Sequence, residues 1–120
     1  MSADMLNKKF KHKKIKPQAV KDADYLSWCH TQDLACFCCG ERGSIELHHI
    51  KETSSDKRND NEIIPLCGVK CHRLGITLSA HLTPKKFRRV FPMGMQLKYA
   101  KGLYNEYLKE VRNEVDENLN

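Results

Sequence analysis

The stretch PLCGVKCHR, residues 65–73, sets two cysteines four apart and a histidine directly after the second. Cys67 and Cys71 form a C-x-x-x-C pair, a spacing at which one turn presents two thiolates to one ion. Upstream, ACFCCGE (35–41) supplies the counterpart. There Cys36 and Cys39 form a C-x-x-C pair followed by Gly40, which permits the positive φ with which such a turn often closes. Room for a hairpin and a loop lies between the pairs. A structural zinc takes four such ligands at tetrahedral angles, so Cys36, Cys39, Cys67 and Cys71 read as one zinc site. Two of the six cysteines remain. Cys29 falls in YLSWCHTQ (25–32) and reads as a small buried side chain on a helix. Cys38 lies inside the first pair and points elsewhere; pairing Cys36 with Cys38 is the poorer alternative.

Six thiols in a short chain raise a choice between metal and disulfides. The N-terminal lysines have no apolar run behind them, so they do not read as a secretory signal. A cytoplasmic protein with reduced thiols is expected. No apolar run is long enough to cross a membrane. The charge is uneven: residues 1–21 hold seven lysines, among them Lys8, Lys9, Lys11, Lys13 and Lys14, against one acid, Asp4. That excess equals the whole net charge of +6; elsewhere basic and acidic residues cancel. A basic arm on a neutral body suits phosphate-backbone binding, and it equally suits a solvated tail.

The chain length allows one domain with a modest core. Residues 1–22 read as a loose basic arm and 23–120 as the domain, with a core motif over 36–76 and a helical part over 83–115. ADYLSWCHTQ (23–32) is a short amphipathic helix. SIELHHI (44–50) alternates Ile45, Leu47 and His49 with Glu46, His48 and Ile50, a strand pattern. KETSSDKRND (51–60) has no apolar residue and is an exposed loop. EIIPLC (62–67) is a second strand that Pro65 confines to an edge or an end. GVKCHRLGI (68–76) reads as a helix ended by Gly75. Thr83 caps the next helix, with Pro84 first in it; its Lys85, Lys86, Arg88 and Arg89 are candidates for phosphate contacts. In the last helix Leu97, Ala100, Leu103, Tyr104, Tyr107, Leu108, Val111 and Val115 recur at threes and fours, a stripe expected to pack on the rest.

The order CFCCG, LHHI, polar loop, NEIIPLC and CH resembles the HNH endonucleases, the ββα-metal or His-Me finger nucleases. The resemblance covers residues 36–72, about a third of the chain. The two cysteine turns look most like small phage-encoded HNH nucleases, including the recombination-associated group; the place of action would then be a bacterial host cytoplasm. The resemblance implies an α+β fold: a ββα-metal motif with a structural zinc, flanked by a short N-terminal helix and C-terminal helices. It implies that His48 and His72 hold a catalytic divalent ion (Mg²⁺, Mn²⁺, Ni²⁺ or Zn²⁺) and that His49 is the general base. The family's middle asparagine falls on Glu62, with Asn61 and Asp60 beside it, and Asn61 is taken as its equivalent. A further helical histidine of colicin-type members falls on Ile76. His81 is nearby in sequence and is a candidate substitute for that ligand, but it reads more readily as a surface or packing residue.

The chemistry fits the residues independently. Hydrolysis of a phosphodiester needs a nucleophile, charge relief and help for the leaving oxygen. A divalent ion supplies the last two and a neutral imidazole the first. Neighbours on a strand face opposite ways, so His48 and His49 suit two separate jobs. The expected function is a metal-dependent DNA endonuclease. Its competitor is a non-catalytic, zinc-stabilised module that binds nucleic acid. Action alone, as a homodimer or with a partner protein is open.

Overall fold

The computed structural model describes residues 19–51 and 57–119. Its order is α1 (Ala23–Thr31), β1 (Ile45–His49), β2 (Ile63–Cys67), a widened π-type turn (Gly68–Leu74), α2 (Pro84–Val90) and α3 (Met93–Leu119). This is the expected α+β architecture, with one antiparallel hairpin between an N-terminal helix and C-terminal helices. No helix among the described residues is long and apolar enough to cross a membrane.

The hairpin pairs Ile45 with Cys67, Leu47 with Pro65, and His49 with Ile63. Every residue of β2 is buried, whereas every residue of β1 is half-buried. The run IIPLC has no polar side chain because both of its faces are covered. Ile64 and Leu66 enter a cluster with Cys36, Cys67, Cys71, Phe87 and Ala100. Ile63 enters a second one with Tyr25, Cys29 and Leu103. β2 therefore divides the core between the cysteine turns and the α1–α3 contact. Pro65 is tolerated because a two-stranded sheet has only edges. Its carbonyl accepts the Phe37 N–H at 2.8 Å, which docks the first cysteine turn on the outer side of β2.

Asp22 stands at the N-cap of α1, and its carboxylate accepts the Tyr25 N–H at 3.2 Å. That is the usual way to satisfy a donor orphaned at a helix start. The Tyr25 ring is fully buried, edge-on to Tyr104 at 4.9 Å and tilted against Tyr107 at 5.2 Å. Cys29 is buried beside it, as expected.

Four expectations change in detail. Residues 68–76 do not form a regular helix but a π-type turn that ends at Gly75. Gly75 has no left-handed backbone; a Cβ there would meet the Lys70 carbonyl oxygen, so the position is short of space. Thr83 does stand before α2 with Pro84 first, but its hydroxyl does not cap the helix. Its Oγ1 instead accepts from Ser79 N–H at 2.8 Å and donates to the Ser79 carbonyl at 3.0 Å. The stripe of α3 packs only in part. Ala100 and Leu103 are buried, whereas Leu97, Leu108, Val111 and Val115 are exposed. The nine-residue α1 is too short to cover the far end. Finally, the last residues of the expected loose arm are tied down. Val20 N–H donates to the Arg58 carbonyl, and Asp60 N–H to the Val20 carbonyl, at 3.0 and 2.9 Å.

Ile63 is fully buried at the junction of sheet and helices. Ile63→Ala should cost about 2–5 kcal/mol in urea unfolding of the zinc-loaded protein, the usual range for emptying such a site. A loss below ~1 kcal/mol would mean that the helical cluster contributes little to the fold.

Candidate functional site

The two cysteine turns meet at the end of the hairpin. One sulfur from each of Cys36, Cys39, Cys67 and Cys71 lies within 4.8 Å of the others. Cys39 Sγ and Cys67 Sγ are 3.8 Å apart. A disulfide needs about 2.05 Å, whereas four sulfurs held tetrahedrally at about 2.3 Å from a zinc are spaced about 3.8 Å. The set therefore fits a zinc. Gly40 has the expected positive φ, +79°, and its N–H closes the turn on the Cys36 carbonyl. The Cys39 N–H points at Cys36 Sγ. Burial works to raise the Cys36 thiol, but backbone N–H groups of Cys39, Cys67 and Cys38 prevail and bring it down to about 7. Cys71 is pushed the other way, by burial and then by the neighbouring thiols. One thiol of the set ionises readily while another resists, and a cation relieves that conflict. Cys38 is half-buried and packs against the core cluster.

A second group forms on the other side of the π-type turn. Ring nitrogens of His48, His72 and His81 lie within 4.8 Å of one another. Ring centroids are 5.0 Å apart for His48 and His72, 5.4 Å for His48 and His81, and 4.3 Å for His72 and His81. His81, expected on the surface or in packing, is the third member. Backbone bonds bring it there: Ala80 N–H donates to the Cys71 carbonyl and His81 N–H to the His72 carbonyl, both at 2.9 Å. The Ser79–Thr83 bonds fix the turn between them. Three neutral imidazoles can hold a divalent cation. Burial, then the proximity of His72, His81 and His49, drives His48 down to about 3, which keeps it neutral. Burial, then His72, also lowers His81.

His49 goes elsewhere, as strand alternation requires. Its Nε2 lies 2.8 Å from Asp60 Oδ1 and 2.9 Å from Arg58 Nε. One ring nitrogen cannot donate and accept at once. A buried carboxylate oxygen at 2.8 Å requires the proton, so Nε2–H donates to Asp60 and Nδ1 keeps the free lone pair. Arg58 Nε stands beside the pair, 3.5 Å from the same Oδ1 as an ion-pair partner. Asp60 is itself fixed, because Asp22 N–H donates to its Oδ2 at 2.9 Å. Burial lowers His49 below the ordinary imidazole range, against the pull of the Asp60 hydrogen bond.

The residue against His49 is thus Asp60, where Asn61 was expected. Asn61 N–H bonds Asn59 Oδ1 at 2.9 Å, and Asn61 Oδ1 is buried with no hydrogen-bond partner among the described residues. Glu62 gives its carbonyl to Ile50 N–H. Three polar neighbours in one turn look alike in sequence. Only the turn and its bridge to Val20 select the one that faces the histidine.

His48, His49, His72 and His81 all line one cleft of about 790 Å³. Lys51, Arg58 and Arg88 line it too, with no carboxylate among its described lining residues. The cleft is cationic and suits an anion. Of the expected basic set, Arg88 reaches it; Lys85, Lys86 and Arg89 are exposed on α2. Lys8, Lys9, Lys11, Lys13 and Lys14 lie outside the described residues. Lys51 and Arg58 carry no signal in the sequence, because they stand in a loop that advertises only polarity, and Asp60 stands out there only as a neighbour of Asn61.

No family model, curated protein or solved structure matches this chain.

Purified protein should carry about one zinc per chain at the cysteine group. Cys67→Ser should lose that zinc together with cooperative unfolding, whereas Cys38→Ser should keep both, as read by metal analysis and thermal melts. Zinc loss in Cys38→Ser would reassign the first cysteine pair.

Proposed function

We propose that the chain is a metal-dependent endonuclease of the HNH type that hydrolyses phosphodiester bonds in DNA. The reading rests on one observation above all. Adjacent histidines of β1 are divided between two constellations, a three-histidine group and a His–Asp pair, that border the same cationic cleft. A purely binding module has no use for that division.

In this reading the scissile phosphate enters the cleft, and Lys51, Arg58 and Arg88 offset its charge. His49 Nδ1 takes the proton from the attacking water, while Asp60 holds the opposite nitrogen and steadies the imidazolium that forms. Asp60 takes the role first given to Asn61. A divalent ion, when bound by His48, His72 and His81, supplies charge relief at the phosphate and help for the leaving oxygen. The four-cysteine zinc takes no part in the chemistry. The basic arm adds sequence-independent backbone contacts.

Purified protein should nick plasmid DNA with Mg²⁺, Mn²⁺ or Ni²⁺ and stop with EDTA. His49→Ala should lower turnover by ~10²–10⁴-fold with divalent-ion affinity unchanged, whereas His48→Ala should weaken the ion itself. Wild-type protein inert with all three metals, or normal cutting by His49→Ala, would remove the catalytic reading and leave a nucleic-acid-binding module. Deleting residues 1–16 should weaken DNA binding and flatten its salt dependence; an unchanged slope would make the arm a solubility tail.

A further inference from the structure

Glu46 has no part in the chemistry above, yet its carboxylate bonds directly to a member of the histidine group. It stands two residues before His48 on β1, and residues two apart on a strand share a face. Both consequently meet His72. Glu46 Oε1 lies 2.7 Å from His72 Nδ1, and Glu46 Oε2 lies 2.9 Å from Arg73 Nη2. Each carboxylate oxygen has its own partner on the π-type turn.

A carboxylate only accepts, so His72 Nδ1 donates the proton, and Nε2 is left as the nitrogen with a lone pair. The ring is held by a short, charge-assisted bond, and His72 is largely buried. Its orientation is therefore set before any ligand arrives.

The same carboxylate also packs on Gly68. A Cβ at position 68 would come within 2.7 Å of Glu46 Cδ and 2.9 and 3.0 Å of its two oxygens. The carboxylate lies against the Gly68 backbone, so a side chain there would push it from its place. Gly68 directly follows Cys67, and its N–H donates to the Ser44 carbonyl at 3.0 Å. Glu46 thus spans from the hairpin to the turn, between the cysteine group and the histidine group.

We infer that Glu46 is the positioning residue of the three-histidine centre: it fixes His72 so that Nε2 joins His48 and His81 around a divalent cation. The inference rests on reading His48, His72 and His81 as a metal site, but it does not depend on what the site catalyses. Ligand histidines are commonly held through their second nitrogen in this way, and loss of the holder costs ~10–100-fold in metal affinity.

The test is Ni²⁺ titration, by calorimetry, into full-length protein carrying one equivalent of zinc, held by the cysteine group: wild type, Glu46→Ala, Glu46→Gln and His48→Ala. Wild type should bind one Ni²⁺. Glu46→Ala should bind it ~10–100-fold more weakly with zinc content and melting temperature retained. Glu46→Gln, which keeps an acceptor, should fall between them. Imidazole ¹⁵N shifts supply a readout that general destabilisation does not move. His72 should be the Nδ1–H tautomer in wild type and a mixture of tautomers in Glu46→Ala. Wild-type affinity in Glu46→Ala, with His48→Ala impaired, would overturn the role of Glu46 and leave the metal site standing. Equal binding by wild type and His48→Ala, or none by either, would overturn the metal site and Glu46 with it. Should Glu46→Ala lose its zinc or fold, Glu46→Gln decides alone: wild-type affinity and an unchanged His72 tautomer overturn the proposal.

Discussion

Four thiols gathered at one end of a two-stranded hairpin are the constraint on which the other parts depend. A hairpin of two five-residue strands is not stable alone in water. Here its β2 edge receives the first cysteine turn through the bond from Phe37 to Pro65, and its last residue is itself one of the four thiols. The cluster joins the start of the motif to its end, and Cys71 carries His72 with it. A zinc-sized spacing between Cys39 and Cys67 makes the same point in distances.

From that anchor the pleat of β1 distributes the chemistry. Alternate residues Glu46 and His48 face the π-type turn, while His49 faces the loop before β2. One strand thereby supplies two histidines to two tasks without any unusual backbone at either. The wide turn over Gly68–Leu74 then serves as a platform. Its carbonyls at Cys71 and His72 accept the N–H groups of Ala80 and His81, so the chain returns beside its own turn.

Two carboxylates mirror each other across the strand. Glu46 accepts a hydrogen bond from His72 Nδ1–H, and Asp60 accepts one from His49 Nε2–H. Each leaves the opposite ring nitrogen as the basic one. Asp60 depends in turn on Asp22, which lies 38 residues earlier and also starts α1. Val20 and Asp22 are thus part of the site's support.

Much of this was legible in the residues. Two close cysteine pairs announced the cluster, because ligand spacing within a turn is a local property. The buried run IIPLC and the alternation of SIELHHI announced the hairpin and the separation of His48 from His49. What stayed hidden was non-local. His81 shares no periodicity with His72, and its place was decided by two backbone bonds and a Ser79–Thr83 lock. Asp60, Asn61 and Glu62 are equally polar, and the bridge from Val20 chose among them. The stripe on α3 is expected to pack on the rest, but burial needs a partner, and α1 ends too soon to cover its far end. The sequence by itself determined which elements form and which side chains bear chemistry, since helix, strand and turn are set by neighbours. Only the tertiary structure decided which of those side chains meet, because hydrogen bonds between segments far apart in sequence leave no spacing to read.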